Sequence, residues 1–135
     1  MNKHWTIRQY GAVLADFLEW VRSDAALEAE THVYLQKLGE HGNMLRQPYS
    51  KPLRDGIFEL LPHTDEIQAR LLYFFGVMKD GSPKAVITNT FVKKTRKTPD
   101  EEIALAKKRR KELEDQDKGN RKKRGSYHHG NRTTH

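Results

Sequence analysis

Four cations fall within five residues, Lys93, Lys94, Arg96 and Lys97, at the end of the β-branched run AVITNTFV (85–92) and just ahead of Thr98-Pro99-Asp100-Glu101. Ammonium and guanidinium groups at a strand end before a helix can hold phosphate, each replacing counterions on a polyanion. The bland reading of the same residues is a solvated strand end. Arg70 is a second candidate. It opens the apolar run RLLYFFGV on the side-chain parity of Leu72 and Phe74. A guanidinium there either pairs with a carboxylate such as Glu59 or aims its fork at a phosphate. Lys51 and Arg54 precede the previous apolar run and can flank the same groove, against the bland reading of solvated loop cations. Tyr73 lies among aromatics and reads first as core, and Glu59 reads first as an ion-pair partner. His63 stands in a turn, while His128 and His129 lie far along the chain.

The elements that must position these residues follow from periodicity. GIFELL (56–61), closed by Pro62 and HTDE, is a strand and a turn. Arg70–Val77 is apolar on both parities, with Leu72 and Phe74 on one and Leu71, Tyr73 and Phe75 on the other, as in a central strand covered on both faces. Asp80-Gly81 supplies turn chemistry, so this strand and 85–92 form an antiparallel hairpin. His4–Arg8 alternates as a first strand. Val13, Phe17 and Trp20 or Val21 recur at helical spacing over 10–21. Ser23 or Asp24 caps a second helix with the stripe Leu27, Thr31, Tyr34 and Leu38, ended by Gly39 or Gly42. Residues 43–52, with two prolines, read as a loop. Thr98 as N-cap, Pro99 as first helical residue and Glu101 as capping-box partner open a last helix with a stripe of Ile103, Ala106 and Leu113.

Three of these segments, in order, resemble the phage-related HigB branch of the RelE/ParE toxin superfamily. They are the strand LRDGIFEL (53–60), the Arg70-x-x-Tyr73-Phe74 strand, and the Phe91-x-Lys93-Lys94-x-x-Lys97-x-Pro99 junction leading into DEEIALAKKRRKEL. The resemblance covers residues 4–113. It implies an α+β fold, with an N-terminal helical hairpin packed on a small, mostly antiparallel twisted sheet and a C-terminal helix. It also implies the toxin of a type II toxin–antitoxin pair, an endoribonuclease that cuts messenger RNA on the ribosome without a metal or other cofactor. In such enzymes an arginine at the position of Arg70 stabilises the scissile phosphate. Lys94 and Lys93 would share that catalytic task, with Lys97, Arg96, Arg54 and Lys51 along the RNA and Glu59 and Tyr73 in support. The segment 93–113 departs from some relatives by holding neither tyrosine nor histidine for proton transfer. The implied partners are messenger RNA, the ribosome and an adjacently encoded antitoxin of helix-turn-helix type. The alternatives are a ParE-like gyrase poison and a catalytically inactive, phage-derived nucleic-acid-binding protein.

Composition sets the bounds. A chain of 135 residues has the size of one domain, here residues 1–114 followed by a basic, disordered tail over 115–135. The absence of cysteine excludes a disulfide framework and a cysteine-ligated zinc, and it fits a cytoplasmic protein. No apolar run approaches the roughly 20 residues that cross a bilayer, so no membrane role is expected. The net charge is +7, and residues 107–135 carry all of it, with 11 Lys/Arg against 4 Asp/Glu. The body is neutral as a whole, which makes the cluster at 93–97 a local signal.

Overall fold

The computed structural model describes residues 4–127. Its elements, in chain order, are β1 (Thr6–Gln9), α1 (Val13–Val21), α2 (Ala25–His41), a short 3-10 turn (Gly42–Met44), β2 (Ser50–Pro52), β3 (Phe58–Leu60), β4 (Ala69–Val77), β5 (Pro83–Val92) and α3 (Asp100–Tyr127). The five strands form one sheet in the order β1-β5-β4-β3-β2, antiparallel except for the parallel pairing of β1 with β5. β4 is the central strand. Its two parities meet two different cores, as a strand apolar on both sides requires.

On one face Leu71, Tyr73, Ala85 and Ile87 pack with Phe17, Val21, Leu27, Tyr34 and Leu38 of the α1–α2 hairpin. On the other, Leu72, Phe74 and Val86 pack with Ile103 and Ala106 of α3. The stripe expected on α2 is the buried set: Leu27, Thr31, Tyr34 and Leu38. Asp24 caps that helix by accepting from the Leu27 N–H at 3.1 Å. In α1 the inward residue is Val21, whereas Trp20 is half exposed. Between β4 and β5 the Asp80 carboxylate accepts from the Ser82 N–H and hydroxyl, closing the hairpin turn. Thr88 adds a β-bulge opposite Leu72/Tyr73, with its hydroxyl donating to the Leu72 carbonyl.

Three expectations change. The segment read as a loop over 43–52 ends in the short edge strand β2, which pairs Ser50, Lys51 and Pro52 with Leu60, Glu59 and Phe58. Pro52 is tolerated because it is the strand's last residue on a sheet edge. Second, α3 begins at Asp100 and the Thr98 hydroxyl is not its cap; that hydroxyl donates to Glu59 Oε1 at 2.6 Å. Third, α3 runs through Tyr127, well into the segment assigned to a disordered tail. Low apolar content limits burial but does not stop an anchored helix from propagating, since the costly nucleus is already formed. The Lys111–Asp115 pair at 3.1 Å adds i,i+4 support to this exposed stretch. His128, His129 and the rest of the expected tail lie outside the described residues. Among the described residues no helix is long and apolar enough to cross a membrane.

Gly42 ends α2 at φ +53°, with its N–H donating to the Leu38 carbonyl. A Cβ there would stand 2.0 Å from Trp5 Cε2. Gly11 has a similar φ of +55° but open space around it. Gly11→Ala should therefore cost about 1 kcal/mol, the backbone term alone. Gly42→Ala should cost at least about 2 kcal/mol more by displacing the indole. Urea unfolding of the two variants checks this, and equal losses would refute the packing role of Trp5.

Candidate functional site

The face of the sheet covered by α3 carries a polar edge, and alternation decides which side chains reach it. Glu59 on β3 is opposite Lys51 on β2 and Leu72 on β4. Two residues back along β4, Arg70 is opposite Phe91 of β5. The ladder continues one step beyond β5, because the Lys93 N–H donates to the Gln68 carbonyl at 2.7 Å. Lys93 thus keeps the parity of Phe91 and joins Arg70, whereas Lys94 has the opposite parity.

Glu59 is the centre. It is fully buried, yet it lines a groove of about 510 Å³ together with Lys51, Arg54, Arg96, Lys97 and Thr98. Its Oε1 accepts from the Thr98 hydroxyl and lies 3.6 Å from Arg70 Nε. Its Oε2 has no hydrogen-bond donor among the described residues and lies 4.0 Å from Lys51 Nζ. Arg70 is 8% exposed, and both terminal nitrogens are engaged, Nη1 donating to the Ala69 carbonyl at 2.7 Å and Nη2 to Gln68 Oε1 at 3.3 Å. Burial pushes the Arg70 pKa down from the ordinary arginine value, and Glu59 pushes it back up. Lys93 is half-buried. Burial, then the positive charge of Arg70, holds its ammonium below the usual lysine range, with Glu59 opposing and Lys51 adding to the depression.

Of the residues singled out in the sequence, the structure brings Lys51, Arg54, Glu59, Arg96 and Lys97 to one groove, with Arg70 and Lys93 beside Glu59. Of the two readings of Arg70, the geometry is nearer the ion pair: its fork is bonded to the Ala69 carbonyl and Gln68, and its buried Nε faces Glu59 Oε1 at 3.6 Å without a hydrogen bond. Lys94 is exposed and does not line the groove. Tyr73 lies on the opposite face, in the core under the α1–α2 hairpin, where its hydroxyl is bonded to that of Ser50 and burial pushes its pKa up to about 12. It supports the fold, not the groove. His63 stands on that same side, near Glu30 and the Tyr34 ring of α2.

Thr98 is the residue that sequence reasoning assigned to another task. Its hydroxyl ties the 93–99 loop to the buried carboxylate, so the cations of that loop are held over Glu59. Other cations are spent on the scaffold. Arg54 meets Asp100 at 3.1 Å, Lys107 meets Asp55 at 2.7 Å, and Arg110 donates to the Asp55 carbonyl. Arg109 donates to the Thr88 carbonyl and covers the Tyr10 ring at 4.5 Å. The basic run at the start of α3 therefore clamps the helix to the 53–57 loop and to β5.

A family model described as Phage derived protein Gp49-like (DUF891) matches residues 19–111, which include every residue of the groove. No curated protein matches the chain.

Removing one member of the buried pair should be worse than removing both. Arg70→Met leaves Glu59 uncompensated and should cost about 3–5 kcal/mol, whereas Glu59→Leu/Arg70→Met should cost clearly less than the two single changes combined. Additive losses in urea unfolding would sink the pairing. Lys93 gives a signed test. Its pKa is lower folded than unfolded, so its protonated form opposes folding at neutral pH, and the opposition fades as pH rises through the depressed value. Lys93→Met should therefore keep or raise the thermal midpoint at neutral pH, and a lower midpoint would contradict the crowding of charge around it.

Proposed function

The chain belongs to the Gp49-like family of phage-derived proteins, a family related to the RelE/ParE-like toxins, and from that premise we propose that it is the toxin of a toxin–antitoxin pair, a ribosome-dependent endoribonuclease acting on messenger RNA. The observation that carries the reading is the groove of about 510 Å³, in which Lys51, Arg54, Arg96 and Lys97 gather above a buried carboxylate. Arg54 is paired with Asp100, and the other three cations along the cleft suit a phosphodiester backbone rather than a neutral metabolite.

Cleavage by this route needs no metal. The ribose 2′-oxygen attacks the adjacent phosphorus, the bond to the 5′-oxygen breaks, and the products are a 2′,3′-cyclic phosphate and a 5′-hydroxyl. Negative charge grows on the phosphoryl oxygens in the transition state, where Lys51 and Lys97 supply preorganised positive charge. Lys93, with an ammonium that gives up its proton more readily than an ordinary lysine, suits the protonation of the leaving 5′-oxygen. Arg70 acts behind the groove as a positioning residue, fixing Glu59 and through it the loop that bears Arg96 and Lys97. An antitoxin would neutralise such a protein by covering the cationic groove with acidic side chains, and DNA reading would belong to the antitoxin.

The test is mapping of messenger RNA ends after brief induction of the wild type, of Lys51→Ala/Lys97→Ala and of Lys79→Ala, a change in the exposed β4–β5 turn. The same transcripts are then incubated in vitro with and without ribosomes. New ends within translated frames, dependent on ribosomes, reduced roughly 10²-fold in the groove variant and unchanged in Lys79→Ala, are the expected result. Growth arrest without new ends would turn the reading to a gyrase poison. Neither effect, with RNA binding retained, would mark an inactive binder, the reading that the inward-turned Arg70 favours.

A further inference from the structure

The segment 93–113 holds no histidine or tyrosine to remove the 2′-hydroxyl proton, and none is among the described residues that line the groove. The structure supplies a different group. Glu59 is 0% exposed and lines the cationic groove, yet only one of its two oxygens is used. Oε1 holds the Thr98 hydroxyl and faces Arg70, whereas Oε2 has no hydrogen-bond donor among the described residues and lies 4.0 Å from Lys51 Nζ. A buried carboxylate oxygen without a donor is costly, and on a residue that lines a binding groove a donor from the ligand would meet that cost once the Lys51 side chain moves aside. The ligand that the groove cations select is a polyanion. Among polyanions, RNA carries a hydroxyl donor one bond from the sugar carbon next to each phosphate ester, and DNA carries none.

We infer that Glu59 Oε2 accepts the hydrogen bond of a ribose 2′-hydroxyl in the groove and takes its proton as the 2′-oxygen attacks phosphorus. This rests on the nuclease reading above and names the base that it lacks. The proton passes from the 2′-oxygen to Oε2, the 2′-oxygen–phosphorus bond forms, the phosphorus–5′-oxygen bond breaks, and Lys93 returns a proton to the 5′-oxygen. Arg70 and Thr98 hold the carboxylate by its other oxygen, which fixes where Oε2 points. Lys51 is the gate: its side chain is 43% exposed and reaches Oε2 only at 4.0 Å, so it can swing to a phosphate as the hydroxyl enters. The same contact discriminates RNA from DNA.

Single-turnover cleavage on programmed ribosomes, followed across about pH 5.5 to 8.5, compares the wild type with Glu59→Gln, which keeps the shape and removes the basicity. The expected result is a rate lowered by about 10²–10⁴-fold. Affinity for an uncleavable RNA bearing 2′-fluorine at the cut nucleotide should stay within about threefold, which also reports a folded groove. Cleavage by Glu59→Gln at the wild-type rate and pH profile overturns the inference and leaves the nuclease reading standing. If the wild type cuts nothing, the nuclease reading falls, and binding then decides the contact. In that case Glu59→Leu/Arg70→Met, which removes the buried charges together, must erase a wild-type preference for RNA over DNA of the same sequence. Equal wild-type affinity for RNA and DNA overturns the contact.

Discussion

The ion pair between Glu59 and Arg70 is the constraint on which the rest of the polar face depends. Two charges have been taken out of water in the middle of a small sheet, at a separation of 3.6 Å that is not a good hydrogen bond. Their mutual attraction alone does not repay desolvation, so neighbouring groups must complete the arrangement. Gln68 and the Ala69 carbonyl take up the ends of the guanidinium, and Thr98 takes up one carboxylate oxygen. Each of these contacts also fixes a different piece of chain. Through them the pair sets the start of β4, the exit of β5 and the entry into α3, and it brings the Lys51 side of β2 alongside.

That economy explains why a fold this small keeps charge in its interior. An apolar pair of similar volume would cost the protein less, as a general matter. It would not, however, hold the 93–99 loop, which has no strand partner and whose Arg96 and Lys97 are exposed. The Thr98–Glu59 hydrogen bond is the anchor at the far end of that loop, and the Lys93 N–H at the Gln68 carbonyl is the anchor at the near end. Between the two anchors the cations are displayed over the groove while their backbone is pinned. Binding groups so held lose less entropy when a ligand arrives than groups on a free loop would.

Much of this was legible in the sequence, for identifiable reasons. The helix stripe Leu27, Thr31, Tyr34 and Leu38, the two-faced strand 70–77 and the turn at Asp80-Gly81 are local patterns, and local patterns survive into the fold because tertiary packing has no competing use for those residues. What escaped were decisions taken between distant segments. Thr98 is a good cap by type, but its hydroxyl is turned to the buried Glu59 oxygen 39 residues away, and the first turn of α3 donates to the Pro99 carbonyl instead. Lys93 and Lys94 are indistinguishable as a pair of lysines until the register of β5 assigns them opposite parities. Arg70 reads from the sequence as either a phosphate fork or an ion-pair partner, and only the position of Glu59 on the neighbouring strand shows that a carboxylate lies beside it. Three-residue β2 carries too little pattern to be read, since its strand character comes wholly from pairing with β3.

Charge composition misleads here in an instructive way. The +7 of the chain resides after residue 106, and the natural reading of such a segment is a polyanion-binding arm. Of its eleven cations, Lys107, Arg109 and Arg110 bind Asp55, the Thr88 carbonyl, the Tyr10 ring and the Asp55 carbonyl, all parts of the same molecule. Cations already paired release few counterions when a phosphate chain approaches, so they add little to its affinity. The cations of the groove are different in kind. Arg96 and Lys97 are exposed and form no ion pair among the described residues, and Lys51 stands at the outer limit of one. A small number of such cations over one buried carboxylate binds weakly as a charge patch but selectively as a shape. That combination favours a ligand that brings both phosphate and hydroxyl to the same place, and it makes geometry rather than total charge the determinant of what this groove accepts.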